Sequence, residues 1–157
     1  MSQKIEQQNF ENFIFVGYSH GEQTGKSLLC NKSAYVDEYN VHLFKNTLFY
    51  AMACSTGAKL AHQLIEKECW TFIGFNKVVQ VVKDYQHIAQ RCDNWGIMLF
   101  LGTDISIGEA FSNMKQEFTK QIDILEDEDF GSASWLVGNR DALVLYGNKN
   151  LTRQDFM

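Results

Sequence analysis

The chain has 157 residues, is 45% hydrophobic and 21% charged, and carries a net charge of −5. A chain of this length buries an adequate core unaided, so residues 1–157 are expected to form one domain rather than a disordered or disulfide-stapled chain. The acidic balance without a basic run argues against nucleic acid as a partner, and no apolar run reaches the ~18–20 residues that span a bilayer, which argues against a membrane protein.

The first residues, MSQKIEQQNFEN, are polar and lack the apolar core of a signal peptide, so the expected location is the cytoplasm. Cys30, Cys54, Cys69 and Cys92 lie far apart with no CxxC pair, and free thiols are expected. Proline is absent, which excludes a proline-rich ligand segment.

In chain order, Asn12–Tyr18 is apolar on both faces, as a central parallel strand is. The polar stretch Glu22–Asn40 follows, with a small hairpin expected from Ser27–Cys30 and Ala34–Val36 and a helical turn at Asn40–Phe44. Thr47–Ala53 is a second apolar strand. Gly57–Glu68 reads as an amphipathic helix with Leu60, Ala61, Leu64 and Ile65 on one face. Trp70–Phe75 is a third strand. Helix is expected over Val78–Trp95, continuing towards Leu101, and again over Ser106–Leu125 and Ser132–Val137, before a last strand at Asp141–Gly147. The acidic run Glu126–Asp129 reads as a solvated turn or helix start. This order gives an α/β fold with a mostly parallel sheet, whose ligands sit beyond the carboxyl ends of the strands.

Two reactive side chains occupy those ends. His20 follows the first strand and Cys54 the second, so neighbouring parallel strands would deliver both to one edge. A cysteine nucleophile acts as its thiolate and needs an imidazole nearby. Cys54 is also expected to open the helix that follows, whose N-terminus favours the thiolate. Gly21 and Gly57 permit tight turns beside the pair.

The segments Phe15-Val16-Gly17-Tyr18-Ser19-His20-Gly21 and Tyr50-Ala51-Met52-Ala53-Cys54-Ser55-Thr56-Gly57 resemble the histidine and cysteine blocks of the caspase-like cysteine peptidases, and among these the bacterial CHAT domains most. The helix and strand over Ala58–Phe75 and the strand Asp141–Gly147 are similar to later elements of that family. The resemblance implies a three-layer sandwich whose mostly parallel sheet is flanked by helices. It implies His20 as general base, Cys54 as nucleophile, and the backbone N–H groups of Gly21 and Cys54 as the oxyanion hole. The activity would be hydrolysis of peptide bonds in protein or peptide substrates by a dyad, without cofactor or metal. Glu22, Asn76 and Asp104 are candidate substrate contacts. The family analogy also suggests activation by a partner, in a defence or cell-death pathway, with Glu22–Asn40 as the loop to be reshaped.

Two departures stand out. Met52 precedes Ala53-Cys54 where caspases carry Gln, and Gly57 follows Cys54 by three residues where they have two, which disfavours a true caspase. Only the polar residues 1–11 precede the histidine strand, where the family has two strands. The first two strands are therefore expected to be missing or supplied by another chain. A companion chain, a second copy or the N-terminal arm is expected to cover the edge strand 12–18.

Two other functional readings stay open. One is a catalytically inactive CHAT-like interaction module. The other is a nucleotide-binding loop at Gly21-Glu22-Gln23-Thr24-Gly25-Lys26-Ser27, which has three residues between its glycines where a P-loop has four.

Overall fold

The computed structural model describes residues 11–157. Seven strands are present among them: β1 (Phe13–Tyr18), β2 (His20–Gly21), β3 (Leu28–Cys30), β4 (Ser33–Val36), β5 (Thr47–Met52), β6 (Thr71–Phe75) and β7 (Leu143–Gly147). The α-helices are α1 (Leu60–Glu66), α2 (Gln86–Gly102), α3 (Ile107–Glu126) and α4 (Phe130–Ala142). Short 3-10 turns cover Val41–Phe44, Lys83–Tyr85 and Arg153–Phe156. The chain divides into two compact units, one of residues 11–78 and 144–148 with Phe156, the other of residues 79–143 and 149–155 with Met157.

The first unit holds the sheet, in the order β1-β5-β6-β7. β5 is a continuous apolar run, and all six of its residues are buried, as befits a strand covered on both faces. β1 and β6 flank it in parallel. β7 runs the other way: the Asn148 N–H donates to the Trp70 carbonyl at 2.8 Å and the Thr71 hydroxyl to the Asn148 carbonyl at 2.6 Å, so its end lies beside the start of β6. The fold is thus α/β with a mostly parallel sheet, as the sequence leads one to expect.

β1 is outermost, and only alternate residues turn inward. Phe15 stacks on Phe49 at 4.4 Å between ring centroids, and Phe44 meets both edge-on. Val16 and Tyr18 are 40% and 52% exposed. On the inward face Phe49, Ala51, Ala53 and Phe72 share one core with Leu60, Ala61 and Leu64 of α1, Leu28 and Val36 of the hairpin, and Val41 and Phe44 of the helical turn.

Two expectations are corrected within this unit. The stretch Glu22–Asn40 is no open loop, because Leu28–Cys30 and Ser33–Val36 within it form an antiparallel sheet with His20–Gly21, β2-β3-β4. The hairpin itself falls where the sequence puts it. The helix expected from Gly57 begins only at Leu60. Residues 54–59 form turns instead, with Ser55 left-handed and Lys59 at φ −134°, while the Ser55, Gly57 and Leu60 N–H groups donate to the Lys77, Phe75 and Gly25 carbonyls.

In the second unit, α3 packs against both α2 and α4. Ile107, Ala110, Met114, Phe118, Ile122 and Leu125 form its buried stripe. Ser106 caps α3 by accepting the Glu109 N–H, and Asp129 caps α4 by accepting that of Ser132, which places the acidic run in the connecting turn. The helix expected from Val78 starts at Gln86 instead. One reason lies on α4, where buried Asn139 donates to the Gln80 carbonyl at 2.7 Å and accepts its N–H at 3.0 Å, holding that residue extended. Trp135 is 48% exposed. Among the described residues, no helix is long and apolar enough to cross a membrane.

Candidate active site

Register sets the site. β1 and β5 pair with a constant offset, ending at Tyr18 beside Met52. Beyond that pair the ladder ends, and Gly21, next to His20, is the residue that meets Cys54. The backbone confirms the approach, because a Cβ on Gly21 would lie 1.7 Å from the Cys54 carbonyl oxygen and 3.1 Å from its nitrogen. Only glycine lets the two segments come so close.

Cys54 sits where β5 leaves the sheet. The Ala53 N–H turns back to the Ala51 carbonyl, and the Thr56 hydroxyl donates to the Ala53 carbonyl at 3.0 Å. Ser55 then adopts a left-handed conformation, φ 61°, which is costly for a residue with a Cβ. Cys54 therefore stands on a sharp turn, partly exposed, and not at a helix N-terminus as expected. The α1 dipole begins six residues later and lends it nothing.

The other thiols differ. Burial pushes Cys69 and Cys92 up to about 12, so neither forms a thiolate near neutrality. Cys30 is exposed at the end of β3, leaving Cys30 and Cys54 as the accessible thiols.

His20 is exposed on β2, opposite Leu29 of β3. Its imidazole makes no side-chain hydrogen bond among the described residues. The neighbouring Glu22 N–H donates to the Ser27 carbonyl at 3.1 Å. Ladder bonds alternate in an antiparallel pair, so Gly21 falls between them and its N–H points away from β3.

Glu22 turns towards its own loop, its carboxylate accepting the Thr24 hydroxyl at 2.6 Å. Gly25, φ 74°, closes that loop, and a Cβ there would lie 2.4 Å from the Ser55 carbonyl. The loop joins β2 to β3, so a strand follows it where a P-loop needs a helix, and the nucleotide-binding reading loses its structural context. Asn76 lies just past β6 against the cysteine turn, its nitrogen 3.1 Å from where a Gly57 Cβ would stand. Its side-chain oxygen is buried without a hydrogen-bond partner among the described residues. Asp104 belongs to the second unit, where Arg153 donates to it at 2.8 Å and holds its carboxyl below the usual range. The structure brings Gly21, next to His20, against Cys54 and the Asn76 backbone against Gly57, leaves Glu22 paired within its own loop, and gives Asp104 a structural partner of its own.

Sequence reasoning did not find the Ser55 turn, the packing of Gly25 on it, or the open concavity lined by Tyr18, Ser19, Cys30 and Tyr35. The two glycines were the only local signal for the first two. No family model, curated protein or solved structure matches the chain.

Proposed function

We propose that the chain is a caspase-like cysteine peptidase domain of the CHAT type, with Cys54 as nucleophile and His20 as base. The observation that carries this reading is the close approach of the His20-Gly21 and Cys54 backbones at matching ends of two parallel strands. An accessible thiol on a strained turn beside an imidazole suits attack on a carbonyl.

In the reaction, Cys54 Sγ attacks the scissile carbonyl carbon while its proton passes to His20. The tetrahedral oxyanion is stabilised by the Gly21 N–H on the open side of the ladder, and the family resemblance adds the Cys54 N–H. Collapse breaks the C–N bond, and the His20 proton leaves with the amine. Water, deprotonated by His20, then hydrolyses the thioester and restores the thiol. Asn76 and Glu22 stand beside this centre as substrate contacts.

The exposed imidazole with no side-chain partner favours a domain completed by something else, or else an inactive interaction module. β1 is the place for a companion chain or second copy to act, because among the described residues it is the outermost strand and it lacks the charges that guard natural edges. Light scattering that shows a lone monomer both free and in the presence of its cellular companions would contradict this coverage. The family analogy places the protein in a regulated cytoplasmic role.

The test of catalysis is labelling by an acyloxymethylketone probe in a Cys30→Ser background, which removes the other accessible thiol. Labelling lost in Cys54→Ala and reduced in His20→Ala supports the dyad. Equal labelling of the parent and Cys54→Ala refutes it. A biological effect that survives both substitutions identifies the interaction module instead.

A further inference from the structure

We propose that the apolar groove between residues 80–85 and α4 docks a partner protein through a short peptide segment, one apolar anchor flanked by lysine or arginine. The surface lies wholly within the second unit and is independent of the peptidase reading.

Four pieces of chain build the groove. Val81 and Tyr85 come from the segment ahead of α2, Ile88 from the first turn of α2, Leu125 from the end of α3, and Trp135 and Leu136 from α4. One wall is pinned, because buried Asn139 of α4 bonds both backbone groups of Gln80. The floor is closed, with Leu125 and Leu136 buried, while Val81 on the rim is 54% exposed and Trp135 about as much. The hollow between them is only about 20 Å³, far below the ~300 Å³ of a small-molecule site. It takes the tip of one side chain. Covering Val81 and Trp135 around that tip needs a larger body, as an anchored protein segment provides.

Charge around the groove selects the partner. The acidic turn between α3 and α4 closes onto two of the lining residues. The Glu128 and Asp129 N–H groups donate to the Leu125 carbonyl at 3.0 and 2.8 Å, and the Ser132 N–H and hydroxyl donate to the Asp129 carboxylate at 3.1 and 2.7 Å. Asp84 adjoins Tyr85 on the opposite wall. Residues 79–89 and 123–137 carry Asp84, Asp123, Glu126, Asp127, Glu128 and Asp129, against Lys83 as their only lysine or arginine. None of these enters an ion pair among the described residues. Tyr85 registers the field: partial desolvation, then the Asp129, Glu128 and Asp84 carboxylates, hold its phenol above the ordinary value. An uncharged apolar segment would cover the groove and leave this repulsion in place. A basic one relieves it and is steered towards it. A second copy fits less well, because the chain carries a net charge of −5.

A displayed library of random dodecapeptides, selected on the full chain, tests the proposal. The selected peptides are expected to share one Leu, Phe, Trp or Met with at least two Lys or Arg close by. Their affinity is expected to fall about tenfold or more in Trp135→Ala. A similar fall, about tenfold, is expected in the double variant Glu126→Lys, Glu128→Lys, whose side chains are exposed. Circular dichroism and Tm establish that the variants fold, and Val81→Ser, also at an exposed position, replaces Trp135→Ala should that protein not fold. No enrichment, selected peptides without basic residues, or affinity unchanged in either the apolar or the charge variant overturns the proposal. Sedimentation velocity of the chain alone checks the other occupant: self-association that disappears in Trp135→Ala assigns the groove to a second copy and overturns it as well.

Discussion

Replacing Gly21 by alanine probes the contact on which the site depends. The added Cβ would stand 1.7 Å from the Cys54 carbonyl oxygen and 2.7 Å from its carbonyl carbon, where ordinary contacts begin at 3.4 Å. One backbone must therefore give way by about 1.7 Å. Neither can do so cheaply, because β2 is held by β3 and the turn after Cys54 by Lys77 and Phe75. Overpacking costs ~1–3 kcal/mol, and a clash between two fixed backbones belongs at the upper end. In a chain of this size that lowers Tm by about 6–10 °C. Displacement by ~1 Å at a reacting centre also costs ~100-fold in rate. Calorimetry and probe labelling of Cys54, both in the Cys30→Ser background, measure the two effects. Gly138→Ala is the control: it is exposed within α4, a Cβ there meets nothing within 4 Å, and a gain of about 1 kcal/mol is expected. A Gly21→Ala protein with unchanged Tm and unchanged Cys54 labelling would refute the placement of the two blocks.

Three further outcomes follow from the same structure. Asn76→Ala removes a buried acceptor that has no partner, so stability should change by less than about 1 kcal/mol while peptide cleavage falls about tenfold or more; a large loss of Tm would make Asn76 a structural residue instead. Burial pushes the Asp93 carboxyl up to about 7, so between about pH 4 and pH 7 the folded state holds a proton that the unfolded chain has released, and stability declines with rising pH by at most about 1.4 kcal/mol per unit. Denaturant titrations across that window should show the slope in the parent and lose it in Asp93→Asn; the same slope in both proteins would contradict the assignment. Asn139→Ala removes both hydrogen bonds to Gln80, and because Gln80 is exposed and its backbone can turn to water, the expected loss is only about 1 kcal/mol, read as a Tm lower by about 2–4 °C.

Much of the fold is legible residue by residue. The run Thr47–Met52 has no polar residue after its first, which marks a strand covered on both faces, and β5 is buried throughout. The 3–4 spacing of Ile107, Ala110, Met114 and Phe118 marks α3, and Ser106 marks its start. Of the site, the order of a histidine and a cysteine after two such strands is legible, because strand ends are local features. The turn at residues 54–59 is not. Its composition suits a helix, but Ser55 takes a left-handed backbone and Lys59 a φ of −134°, in a turn whose N–H groups bond to Lys77, Phe75 and Gly25, far away in the sequence. The hairpin sheet around β3 is half legible: its two longer strands show in the pattern, but the pairing of His20 and Gly21 with them does not.

By itself the sequence determined the main strands and the existence of the helices, though not all their starts, and that His20 and Cys54 follow two of the strands. Periodicity and composition act over a few residues and carry that much. Only the tertiary structure decided that Gly21 lies against Cys54, that β7 runs antiparallel to β6, and that residues 54–59 form turns rather than a helix. Those facts depend on register and on hydrogen bonds between residues far apart in the chain. No local pattern encodes such partners, because the same amide could be satisfied within a helix or by a distant carbonyl, and packing chooses between them.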